Sequence, residues 1–148
     1  MPVDQDQLQK DVEQLLQVPD RFLYLASPYT HPDPDIQLKR FHDVCDYAAK
    51  LLSEGTPVFS PIAHSHPIAI HGETENTFDF WMTWDMPFLH LCSGVVVMTI
   101  PGWRESRGVQ TEIALATKLG KSVTFSDHEE RAVEELHEGS GPDVAKVL

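Results

Sequence analysis

Residues 104 to 120, "RESRGVQTEIALATKLG", hold the side chain best placed to do chemistry. Advancing about 100° per residue from Val109, a helix here gathers Val109, Ile113, Leu115, Ala116 and Leu119 into one apolar arc. Gln110, Thr117 and Lys118 fall opposite. Glu112 lies inside the apolar arc, flanked by Ala116 and Leu119. An ionised carboxylate rarely goes to a dry face without a partner. Glu112 therefore predicts an ion pair with Arg104 or Arg107, or a crevice that the helix borders. In a crevice, a desolvated carboxylate can stabilise a developing positive charge or capture it covalently. Ser106 and Gly108 open the same helix. A serine there suits the N-cap, a glycine lets a ligand approach, and free N–H groups at a helix start attract anions.

Other residues offer chemistry with more ordinary alternatives. Asp85 stands two residues before Pro87, which reads as a capping aspartate with proline in the first turn, or as an acid beside the site. Tyr24 is a core aromatic by default, with a hydroxyl that needs a partner. Phe80, Trp81 and Trp84 recur at helical spacing, as core aromatics do, and could also stack on a base. His64, His66 and His71 form an H-x-H pair plus one, a pattern zinc can use. No cysteine lies nearby and no H-E-x-x-H helix is present, so hydrogen-bonded or solvated histidines are expected instead of a metal-dependent hydrolase. No metal or cofactor is expected. The chain has no nucleophile elbow and no P-loop, and "SPYTHPDPD" has no glycine for a dinucleotide fingerprint.

The elements that would position these residues alternate. "VDQDQLQKDVEQLLQVPD" predicts an amphipathic helix ended by Pro19, an appendage over 1–19. "FLYLAS" is a strand buried on both faces, followed by a turn rich in proline and aspartate. Asp35 to Glu54 is helical, "TPVFS" a second strand, and Pro61 to Thr74 a long loop. "NTFDFWMTWDMPFLHLC" predicts a helix broken near Asp85, because proline does not fit a helix interior. "GVVVMTI" is the clearest buried strand, "SVTFS" a fourth, and "HEERAVEELHEG" a helix within a 128–148 tail. This pattern implies an α/β domain over 20–127, a flavodoxin-like or Rossmann-like three-layer sandwich. Its parallel sheet of four to five strands carries helices on both faces.

Ligands in such sheets bind beyond the carboxyl ends of the strands. Ser27 to Thr30, Ser60 to His71 and Pro101 to Glu112 should converge there. Ser27, Pro61, His64 and Trp84 join Ser106 and Gly108 as candidate substrate contacts.

Composition narrows the partners. At 148 residues with 41% hydrophobic and 23% charged residues, the chain suits one compact domain. A formal net charge of −12 excludes the basic surface that nucleic-acid binding needs. Cys45 and Cys92 sit in apolar contexts, which fits reduced thiols in a cytoplasmic protein. An acidic, polar N-terminus predicts no signal peptide, and no apolar run would span a membrane.

With these residues in hand, the chain resembles the nucleoside 2-deoxyribosyltransferase-like superfamily, which includes deoxynucleoside 5'-monophosphate N-glycosidases. "LYLASPY" matches the first strand with its tyrosine and small residues. Asp85 matches an aspartate about eight residues ahead of a buried strand, and Ser106, Gly108 and Glu112 match the pattern that enters the last helix. The similarity spans roughly 21 to 126. It implies Glu112 as the carboxylate at the anomeric carbon, Tyr24 as the residue orienting it, and Asp85 as the group facing the nucleobase. Ser106 and the N–H groups around Gly108 would contact the sugar 5' end or a 5'-phosphate. The implied ligand is a nucleoside or nucleotide, and the implied assembly a homo-oligomer. Ile113–Ala114 after the glutamate, where relatives carry x-Gly, and Ser93 before the third strand, where many carry aspartate, depart from the pattern. They leave a catalytically inactive nucleotide-binding module as the alternative.

Overall fold

The computed structural model describes residues 1–139. Strands β1 (Leu23–Ala26), β2 (Val58–Phe59), β3 (Gly94–Val97) and β4 (Ser122–Phe125) form one parallel sheet in the order β2-β1-β3-β4. Leu23 pairs with Gly94 and Ala26 with Val97, so β1 and β3 run in step through the middle of the sheet. Both strands are short apolar runs, as two-sided burial requires.

Among the described residues six helices complete the α/β architecture: α1 (Gln5–Leu15), α2 (Pro34–Ser53), α3 (Pro61–His71), α4 (Phe78–Leu91), α5 (Arg107–Lys118) and α6 (His128–Gly139). Strand residues alternate between two cores. On one face Tyr24, Ala26, Val95 and Val97 pack with Leu89 of α4 and with Val109 and Ala116 of α5. On the other, Leu25, Val96 and Met98 pack with Val44 of α2, joined by Ile62 of α3. The expected three layers are present.

Two expectations are corrected. Residues 61–71, read as loop, form α3, started by Ser60, whose Oγ accepts from the Ala63 N–H at 3.0 Å. The helix in "NTFDFWMTWDMPFLHLC" does not break near Asp85. It starts at the Thr77 N-cap and continues through Pro87 to Leu91. Asp85 is therefore an interior helical residue and caps nothing. Pro67 and Pro87 both lie on exposed sides of their helices. There the carbonyl that each proline leaves without an amide partner can bond water, which offsets the hydrogen-bonding part of the penalty for an interior proline.

Helix α1 ends at Leu15, with residues 16–18 turning ahead of Pro19, and buries no residue. The expected C-terminal helix is α6, and residues 140–148 lie outside the described part. Among the described residues, no helix is long and apolar enough to cross a membrane.

The strand order reverses at β1, whose neighbours β2 and β3 lead away on opposite sides. A crevice at the carboxyl ends of β1 and β3 follows from that topology. Arg40 of α2 ties its rim together. Its guanidinium donates to the carbonyls of Thr30 at 2.8 Å and Tyr29 at 3.4 Å after β1, and to that of Pro101 at 3.2 Å after β3. Gly102 lets this happen: its φ of 95° is left-handed, and a Cβ there would collide with Arg40 Nη2.

Candidate active site

A cleft of about 460 Å³ occupies the reversal point, within the range of ligand pockets. Ser27 enters it from the end of β1, Ser65 and His66 from α3, Trp81 and Asp85 from α4, and Ser106, Gly108 and Glu112 from α5. Segments separated by up to 85 positions thus meet around Glu112.

Glu112 is 7% exposed, and its Oε2 has no hydrogen-bond partner. Neither expected cation reaches it. Arg104 is paired with Glu129 of α6, and the Arg107 guanidinium lies 3.9 Å from the centre of the Phe78 ring. Burial pushes the Glu112 carboxyl up to about 8, with the charge of Asp85 adding to the rise and the Tyr24 hydroxyl opposing it. Tyr24 lies in the core beneath, fully buried and outside the cleft wall. Its hydroxyl forms no completed hydrogen bond, yet it is near enough to favour the Glu112 anion. Burial and the charges of Glu112 and Asp85 hold that hydroxyl protonated. Asp85, 9% exposed, is pushed up to about 6 by desolvation. Two carboxyls in one dry cleft cannot both ionise cheaply, so between about pH 6 and 8 they hold one proton between them.

The entry to α5 is built for close approach. Ser106 is its N-cap, with Oγ accepting from the Val109 N–H at 3.3 Å, which leaves the hydroxyl proton free to donate. A Cβ on Gly108 would stand 3.6 Å from Glu112 Oε1 and 3.8 Å from Ser106 Oγ, in space that the glycine leaves to the cleft. Ser27 Oγ, also buried, has no partner and lines the cleft. Its hydroxyl is a second polar group of the cleft without a protein partner.

Three expected contacts fall elsewhere. Trp84 is 60% exposed on α4 and faces away from the cleft. Pro61 is buried in the first turn of α3 and does not line the cleft. His64 is exposed, with its ring 5.8 Å from that of Phe59. Because His64 and His66 are two residues apart on a helix, their side chains project about 200° apart and cannot share a metal. Among the described residues no group of three or more histidine, cysteine or acidic side chains is arranged to hold one.

Of the three aromatics read as core or base-stacking residues, Trp81 is the one in the cleft wall. It is held there by its indole N–H donating to Asn76 Oδ1 at 2.8 Å. Phe78, Trp81, Met82 and Asp85 stand at i, i+3, i+4 and i+7, so one face of α4 carries this wall. Opposite, the Tyr29 hydroxyl bonds His66 Nδ1, and the His66 ring stacks on Phe41 with centroids 4.0 Å apart. That pairing spans 37 positions and has no local signature.

The family described as Domain of unknown function (DUF1937) matches residues 21–128. The chain belongs to that family. The match covers all four strands and every cleft residue named above, while α1 and nearly all of α6 lie outside it. A search of curated proteins returns no match.

Proposed function

We propose that this DUF1937 protein cleaves the N-glycosidic bond of a nucleoside or nucleoside 5'-monophosphate, as an N-glycosidase or N-deoxyribosyltransferase. One observation carries the reading: a carboxyl buried at the reversal point of a parallel sheet, with one oxygen unpartnered and no cation beside it. Such a group is costly to keep unless a ligand uses it. The order of Tyr24, Asp85, Ser106, Gly108 and Glu112, which resembles the nucleoside 2-deoxyribosyltransferase-like superfamily, supplies the substrate class.

Breaking the bond builds positive charge at the anomeric carbon. Glu112, as carboxylate, attacks that carbon or stabilises its charge from the cleft floor, as carboxylates do in retaining glycosidases. The leaving nitrogen needs a proton, which Asp85 donates. At rest the single proton sits on Glu112, whose value of about 8 lies above the value of about 6 for Asp85, so it has to pass to Asp85 for reaction. The Tyr24 hydroxyl opposes part of the rise in Glu112, and the positive charge that develops at the anomeric carbon draws the pair into the reactive form. Trp81 offers a flat surface for the base. Ser106 and the start of α5 face the sugar 5' end, where N–H groups suit a phosphate. Water or a second base then releases the sugar from Glu112.

The test is chromatographic: free base released from a panel of ribo- and deoxyribonucleosides and their 5'-monophosphates, with and without an acceptor base. Wild type should release base and Glu112→Ala should not. Full turnover by Glu112→Ala would remove the role assigned here. Binding without turnover by wild type would favour a nucleotide-binding module of the same fold.

A further inference from the structure

Helix α4 has two apolar faces, and the monomer uses one. Its inner face carries Trp81, Asp85 and Leu89 toward the cleft and core. On the opposite side Phe80, Trp84, Pro87 and Leu91 fall within an arc of about 60°. Trp84 is 60% and Leu91 75% exposed, Pro87 is exposed, and Phe80 is half-buried. A helix apolar on opposite faces is ordinarily covered on both, and the narrow stripe here has the spacing of a helix–helix seam.

We infer that this stripe is the seam of a two-fold symmetric dimer, in which α4 of one chain packs antiparallel on α4 of a second copy. The spacing of the stripe is four, three and four residues, the same read in either direction. Antiparallel pairing therefore seats Phe80 on the partner's Leu91 and Trp84 on the partner's Pro87, with both contacts repeated by symmetry. Trp84 supplies a large aromatic face near the centre, the usual place and type of an interface anchor.

Charge selects the same arrangement. Asp79 and His90, both exposed, flank the stripe on one side at opposite ends of α4. Antiparallel packing sets Asp79 of each copy beside the partner's His90. A parallel two-fold would carry the partner's Asp79 and His90 to the far side of the seam, where this pairing is lost. The seam lies on the reverse of the turns that hold Trp81 and Asp85, so the dimer would brace the cleft wall without entering it.

Light scattering and sedimentation of the full chain across the micromolar range test this. Wild type is expected to be a dimer, with Trp84→Glu raising its dissociation constant by about thirtyfold or more. Trp84 is exposed in the monomer, so the variant should keep wild-type circular dichroism and a cooperative thermal transition. Asp79→Lys should weaken the dimer, and adding His90→Glu should restore it. The double variant Asp79→Cys/His90→Cys should oxidise to a covalent dimer, and each single variant should not. A monomeric wild type would overturn the proposal. So would a dimer indifferent to Trp84→Glu, which would move the interface elsewhere, for example to the exposed apolar stripe of α1.

Discussion

Replacing Glu112 with glutamine should cost activity and add stability, in an amount that depends on pH. Glu112 rises from 4.5 to about 8 on burial, so the folded protein holds a proton that the unfolded chain releases. Between these values the folded state binds more protons, and stability falls as pH rises. At about 1.4 kcal/mol per pH unit, the wild type loses about 3 kcal/mol by pH 7 and about 5 kcal/mol above pH 8, relative to pH 4. Glutamine has nearly the same shape and never ionises. The variant should match wild type near pH 4.5 and exceed it progressively toward pH 8, with no further gain beyond. Urea unfolding of both proteins at pH 4.5, 7 and 9 measures this directly. Parallel stability curves at all three pH values would show that Glu112 ionises as freely folded as unfolded, and the argument from its burial would fail.

The shared proton should make kcat/KM bell-shaped, with limbs near pH 6 and pH 8 as the pair becomes doubly protonated or doubly ionised, measured by base release across pH. Asp85→Asn should lower turnover by about 10²–10⁴-fold through loss of the proton donor, and single-turnover base release would check it. Gly108→Ala should fold at least as stably as wild type, since the new Cβ makes only ordinary contacts and alanine favours a helix by up to about 1 kcal/mol. It should nevertheless raise KM by filling space beside Glu112 Oε1. Arg40→Ala should destabilise by about 2–3 kcal/mol in urea titration, because three carbonyls on two loops lose a charged donor.

Much of the site was legible because helical periodicity is local. Glu112 stood out on an apolar arc, and burial at 7% exposure in a cleft wall answers that signal. Ser106 was readable as an N-cap from its position ahead of the helix. The errors trace to proline. Pro67 and Pro87 argued for a loop and a break, yet both segments are continuous helices because each ring sits on a solvated side. Burial, which single residues do not reveal, decided how much a proline cost. Helical spacing named Phe80, Trp81 and Trp84 together, and only the tertiary fold put Trp81 in the cleft wall and Trp84 outside it.

From sequence alone came the alternation of buried strands and amphipathic helices, hence the parallel sheet, and the presence of an acid where an apolar residue belonged. These depend on the period of the chain and on the cost of leaving apolar surface in water. Tertiary structure decided which groups meet. It brought Asp85 within electrostatic reach of Glu112, gave Arg104 to Glu129 instead, joined Tyr29 to His66 and turned one apolar face of α4 outward. Electrostatic and hydrogen-bond partners are chosen by proximity in space, and that proximity is set by the order in which the strands pair.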